Sequence, residues 1–265
     1  MSNITYDQET TLYEETGVGE PLIFIHGVGL DHAMWQQQVN RLSANYRVIT
    51  YDMLGHGGSS HPPGPYSLSQ FVVQLATLVN ELKLTNVHLV GFSMGAMVAQ
   101  SFAAKFPDKI RTLTIMNSVA NRTPEQRKAI AARVEKVKEL GPQTTIEPAI
   151  QRWFNQDFQE KNPKIINEVR HRLETNNADG YMAAYTLFAT ADEEVWQQLK
   201  DITVPSLVIT GEYDVGSTPK MSRQIHEKLL NSELLIVPDT RHMLPVEKPE
   251  IVNQAIHSFI KEHVY

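Results

Sequence analysis

The sequence contains no cysteine. That absence excludes a thiol nucleophile, a disulfide framework and a Cys-ligated zinc site. It fits a reducing compartment, so a cytoplasmic location is the expectation. Positive charge is also scarce: 24 Lys and Arg stand against 30 Asp and Glu, for a net charge of −6. A basic footprint for nucleic acid is missing, as is the attraction that would dock the chain on anionic lipid. No apolar run approaches the ~18 residues that a membrane span requires. The opening residues, MSNITYDQET, are polar and show no leader pattern. Repeats, low-complexity tracts and long charge runs are lacking too. What remains is 265 residues, 42% hydrophobic and 20% charged. That is enough for one large domain with a buried core, or two small ones.

Short β-type runs alternate with helical patterns. Pro21–His26, Tyr46–Asp52, Val87–Gly91, Ile110–Asn117, Ser206–Thr210 and Glu233–Val237 are nearly continuous in apolar residues. Such runs predict strands buried on both faces, as in a parallel sheet. Segments around Ile4–Tyr6 and Thr11–Glu14 predict antiparallel edge strands. Leu68–Leu84 carries one apolar stripe at helical spacing, with Ser67 and Gln70 as a capping box. Met94–Phe106 is rich in small residues and stops before Pro107, as a helix pressed on a sheet would. A closing helix covers Ile251–Ile260. The pattern predicts a mostly parallel, doubly wound α/β sheet from residues 1–120 and 196–265. Residues 121–195 break the rhythm. Glu125–Leu140, Thr145–Phe154, Pro163–Thr175 and Gly180–Ala189 read as helices, too much for an ordinary crossover. They predict a helical cap inserted over the carboxyl edge of the sheet.

The stretch VHLVGFSMGAMVAQ, residues 87–100, places a serine between two glycines where a strand becomes a helix. A G-x-S-x-G turn of that kind is a nucleophile elbow, which holds Ser93 strained and exposed at a helix N-terminus. Serine needs a base. Of ten histidines, His242 follows the last strand and reaches the same sheet edge. His226 and His257 lie in helical patterns, His88 in a strand and His171 in the cap. Asp214, after SLVIT, is the expected partner of the imidazole's far nitrogen. Glu212 and Asp239 are the alternatives. Two backbone N–H groups would complete an oxyanion hole: that of Met94, after the nucleophile, and that of Val28, in the loop after the first core strand. His26 is expected to bond locally and shape that loop.

With these residues in hand, the chain resembles the α/β-hydrolase superfamily over essentially its whole length. HGVG (26–29), DMLGHGGS (52–59), GFSMG (91–95), GEYD (211–214) and RHMLPVEKPE (241–250) carry the likeness. The Ser-Met-Gly elbow, YDMLGHG and IQRWFNQDF (150–158) make it look most like the branch with 3-oxoadipate enol-lactonases and related carboxylesterases. The resemblance implies no cofactor. Serine at the nucleophile position, where relatives such as dehalogenases and epoxide hydrolases carry aspartate, argues against both of those activities. Arg241 departs from the small residue that many relatives place before the histidine. It is read either as turned to solvent or as turned inward, against the imidazolium and toward a substrate carboxylate.

Specificity is expected from the cap. Trp153 could wall the pocket and Arg152 could pair with an anionic group. Adjacent helical residues lie about 100° apart, so the two are not expected to face one spot. Phe92, Val28 and Met94 are expected to make an apolar floor. The expected function is hydrolysis of a small ester or lactone through an acyl-enzyme, with no metal. A C–C hydrolase, amidase or perhydrolase on the same triad is the alternative, as is a small-molecule receptor with slow turnover.

Overall fold

The computed structural model describes residues 1–263. Among these residues the chain builds one eight-stranded sheet. Its strands are β1 (Ser2–Tyr6), β2 (Glu9–Thr16), β3 (Glu20–Ile25), β4 (Tyr46–Tyr51), β5 (Val87–Phe92), β6 (Ile110–Met116), β7 (Ser206–Gly211) and β8 (Ser232–Val237). Their spatial order is β1-β2-β4-β3-β5-β6-β7-β8. β1 pairs antiparallel with β2, and β2 with β4; all other neighbours are parallel. The apolar runs and the two expected edge strands therefore appear where the pattern puts them, to within a residue or two.

The continuous apolar runs are needed because both faces of the sheet are covered. Along β3, Ile23 and Ile25 join a core with Phe71, Leu75 and Phe102. Leu22 and Phe24 join the opposite core with Trp35, Val252 and Ile256. Successive strand residues point to opposite faces, so each core takes alternate side chains. Helices Leu68–Glu81 and Met94–Lys105 cover the first face, and helices Gln36–Leu42 and Pro249–Glu262 the second. The capping box at Ser67 is formed, with Ser67 N–H donating to Gln70 Oε1 at 2.8 Å.

Between β6 and β7 the chain is helical throughout its regular segments. Helices span Pro124–Leu140, Ile146–Trp153, Gln156–Lys161, Pro163–Glu174, Ala178–Thr190 and Asp192–Gln198. Among the described residues, no helix is long and apolar enough to cross a membrane.

Candidate active site

The strand order decides where chemistry can sit. β3 has β4 on one side and β5 on the other. The chain leaves β3 toward one flank and later returns to build the other, so the loops after β3 and β5 part and open a crevice at the carboxyl edge. Residues 26–29 and 91–95 occupy those two loops.

Ser93 sits at φ 54°, ψ −115°, a conformation that costs a non-glycine residue roughly 1–3 kcal/mol. Its surroundings hold it there. Ser93 N–H donates to Met116 O at 2.9 Å, and its carbonyl accepts from Ala96 and Met97 N–H at 3.1 and 3.3 Å. Gly95 is required by close approach: a Cβ there would collide with the carbonyl oxygens of Ile25 and His26. The hydroxyl is thereby set at the N-terminus of the helix Met94–Lys105.

His242 Nε2 lies 3.2 Å from Ser93 Oγ, and its Nδ1 lies 2.6 Å from Asp214 Oδ2. The Nδ1–H donates to the carboxylate, which leaves the Nε2 lone pair facing the hydroxyl. Asp214 is almost wholly buried. Burial pushes its carboxyl up, but His242, Asn117 and the Ser217 N–H outweigh that and hold it below the ordinary value. Asn117 Nδ2 donates to Oδ2 at 2.8 Å, and the N–H groups of Gly216 and Ser217 donate to Oδ1, both at 2.9 Å. Of the alternative acids, Glu212 is exposed and accepts from Asp239 N–H at 3.3 Å. Neither stands at the imidazole.

The loop after β3 is held by two buried, neutral histidines. Met53 N–H donates to His26 Nε2 at 2.9 Å, so the ring proton is on Nδ1 and is given to Gly27 O at 2.7 Å. Leu30 N–H donates to the same oxygen at 3.2 Å. Because the peptide is planar and trans, fixing Gly27 C=O fixes Val28 N–H in the opposite direction. His56 repeats the device one step on: its Nε2 accepts from Gly29 N–H at 3.0 Å and its Nδ1–H donates to Leu54 O, also at 3.0 Å. Burial, then the neighbouring His26, pulls the His56 imidazole down to about 3. Burial lowers His26 as well.

A cavity of about 250 Å³ opens above Ser93, Val28 and His242. The helices between β6 and β7 supply its far wall, including Arg133, Arg152, Trp153, Tyr181, Tyr185 and Phe188. Arg152 and Trp153 both border it, against the expectation drawn from their 100° separation. The helix ends at Trp153 and the cavity is wide enough to take both. Phe92 is not on the wall. Its ring packs on the His242 imidazole, centroids 4.9 Å apart, and on Trp35 at 6.3 Å. Trp153 stands 6.0 Å from the same imidazole. The Met94 side chain is buried in the core, so only its backbone can face the site. Arg241 points neither to the cavity nor freely to solvent: its Nη1 donates to Gln151 O at 2.6 Å.

Arg133, Tyr181, Tyr185 and Asn117 escaped the sequence reading. The sequence could have grouped Arg133 with its helix face, though not placed that face at the cavity. Gln126, Ala129, Ile130 and Arg133 follow the 3, 4, 7 spacing of one helix face, and that face borders the cavity.

Residues 20–249 match the family model of the alpha/beta hydrolase fold, and the chain belongs to that family. It is 35% identical over 256 residues to the (E)-2-((N-methylformamido)methylene)succinate hydrolase of Acinetobacter baylyi, covering 96% of this chain and 95% of that one. It is 33% identical over 240 residues to 3-oxoadipate enol-lactonase 2 of the same organism, covering 91% and 88%. Among solved structures, the enol-lactonase from Burkholderia xenovorans LB400 superposes with a TM-score of 0.91 at 25% identity, over 98% of this chain and 100% of that one.

Proposed function

We propose that the chain is a serine hydrolase that opens a small ester or lactone through an acyl-enzyme. The observation that carries this reading is the chain of contacts at the cavity floor. Ser93 Oγ lies 3.2 Å from His242 Nε2, whose other nitrogen lies 2.6 Å from the buried Asp214.

Ser93 Oγ attacks the carbonyl carbon while His242 Nε2 takes its proton. Asp214 holds the ring in the required tautomer and stabilises the imidazolium. The N–H groups of Val28 and Met94 receive the oxyanion, the first aimed by the His26 bond to Gly27 O and the second by the start of the helix. Collapse of the intermediate expels the alkoxide, which takes the proton from His242. In a lactone the alkoxide stays attached, and the ring opens. His242 then removes a proton from water, which attacks the acyl-enzyme and frees Ser93. The helices between β6 and β7 act as a cap that shapes the acyl and alcohol sites.

A panel of short and long p-nitrophenyl esters, neutral lactones and carboxylate-bearing lactones tests the reading, with Ser93→Ala as blank. The relatives' names, a succinate derivative and an oxoadipate enol-lactone, set the acidic members of the panel. Ser93→Ala is expected to lower kcat on the order of 10⁴–10⁶ with the fold intact. An alanine variant of equal activity would sink the assignment.

A further inference from the structure

Three arginines line the cavity, Arg122, Arg133 and Arg152, and the first of them is occupied, as are Arg241 and Arg172 outside it. Arg122 is buried and gives Nη1 to Asp192 at 3.3 Å and to the carbonyls of Phe188 and Ala189 at 3.1 and 3.2 Å. Arg241 is tied to Gln151 O. Arg172 is paired with Asp31 at 3.2 Å. Arg133 and Arg152 differ. Both are half-buried and both line the cavity. Neither has a hydrogen-bond acceptor or an acid partner among the described residues.

Structural arginines of the same helical segment each have an acid. Asp192 serves Arg122 and Arg127. Glu147, on the helix that carries Arg152, turns away to pair with Arg170. No such acid meets Arg133 or Arg152 among the described residues. Burial, then the like charge of Arg133, disfavours the Arg152 cation. Two guanidinium groups facing one small cavity without a counter-charge are costly unless something brings one.

We infer that Arg133 and Arg152 form the seat for a substrate carboxylate, placed across the cavity from Ser93. The substrate is then a small ester or lactone that carries a free acid remote from the bond that breaks. This deepens the serine-hydrolase reading and rests on it. A carboxylate offers two oxygens with about four acceptor positions, and each guanidinium presents a planar fork, so one carboxylate accepts from both arginines. Tyr181 and Tyr185 stack beside the seat with ring centroids 5.6 Å apart, an apolar flank that excludes water and strengthens the charge interaction.

The test compares two competitive inhibitors of p-nitrophenyl butyrate hydrolysis: adipate, with acids at both ends, and adipamide, its uncharged isostere. Adipate is expected to inhibit at least tenfold more tightly, and the ratio should fall toward one in the double variant R133M/R152M. The variant R133K/R152K keeps the charges and loses the forks, so its ratio should lie between. A ratio near one in the unmodified protein, or an unchanged ratio in R133M/R152M, overturns the seat. Each single methionine variant, with its melting temperature, covers a misfolded double variant: it should lower the ratio part-way, and no change in either overturns the seat. Calorimetry of adipate on Ser93→Ala reads the seat without turnover. Failure of the hydrolase reading would leave that binding intact, whereas failure of the seat would abolish the preference and leave ester turnover in place.

Discussion

At the scale of single residues, Asp214 shows how closely role and environment are matched. Its Oδ2 receives Asn117 Nδ2 at 2.8 Å and the imidazole at 2.6 Å, and its Oδ1 receives two backbone N–H groups. Replacing one oxygen with an amide puts a donor against donors. Asp214→Asn is expected to leave the fold in place, turn the His242 tautomer and lower kcat on the order of 10⁴ with KM little changed. Steady-state kinetics on a short ester checks it; a loss below tenfold would remove Asp214 from the mechanism. Ser93, Asp214 and His242 were legible in the sequence because each follows a strand end with its own local signal: an elbow, a G-E-Y-D turn and a post-strand histidine. Arg133 and Asn117 were not. Which face of a helix meets the cavity depends on how the segment between β6 and β7 packs, and no local pattern states that. Phe92 was misplaced for a related reason. The turn lifts Ser93 to the crevice and leaves the preceding side chain on the sheet face, under the imidazole.

Between elements, the loop carrying His242 is stitched to residues 151–155. Met243 N–H donates to Trp153 O at 2.9 Å. Asn155 Nδ2 donates to Asp239 O at 2.7 Å. Glu247 closes the seam, accepting Asn155 N–H at 2.7 Å on one oxygen and Arg241 N–H at 2.8 Å on the other. On the opposite flank, Asn176 Nδ2 donates to Gly29 O at 2.9 Å, beside the Arg172–Asp31 pair. The helices between β6 and β7 thus touch both the loop after β3 and the loop that carries His242. On the proposed mechanism Glu247 is a positioning residue, acting on His242 through the loop it holds. Glu247→Gln turns one acceptor into a donor facing an N–H. It is expected to lower kcat by about ten- to a hundredfold with KM nearly unchanged, since small displacements of a base are costly. A fall in melting temperature with kcat intact would reduce Glu247 to a structural role. The long helices of this region were legible as helical segments between two core strands. Gln156–Lys161 and Asp192–Gln198 were not, being too short for a periodicity, although the acidic start of the second, Asp192-Glu193-Glu194, suits a helix N-terminus.

Across the whole molecule, a mostly parallel sheet was legible from its apolar runs, because a sheet covered on both faces leaves a strong one-dimensional trace, whereas the order of its strands was not read from the sequence. Of the buried histidines, His88 was legible in its strand and His26 as a local bond in the loop after β3, while His56 left no signal; together they are expected to set the acid limit of stability. His56, His26 and His88 are all lowered, in each case by burial first. Folding disfavours their charged forms, while the unfolded chain takes up protons near pH 6.5. Their contribution is therefore complete above that pH and is lost as pH falls from 6.5 toward about 3, the value His56 reaches. Each proton of difference costs about 1.4 kcal/mol per pH unit. His32 has the opposite sign: its bond to Asp52 raises it, so its contribution holds at low pH and fades as pH rises through its raised value. Three groups outweigh one, so the melting temperature is expected to fall steadily below pH 6.5. His56→Gln, which keeps an acceptor and a donor, should flatten that slope. A melting temperature that is level or rising toward pH 4 would contradict the assignment of neutral buried rings.

The proposed mechanism has Ser93 carry the acyl group. It is tested most directly by treating the protein with an alkyl fluorophosphonate and following residual ester turnover against the mass of the intact chain. One adduct per chain is expected, mapped to Ser93, with activity lost in proportion to labelling and no adduct on Ser93→Ala. Full turnover in a chain labelled at Ser93, or inactivation with the adduct on another residue, would contradict it.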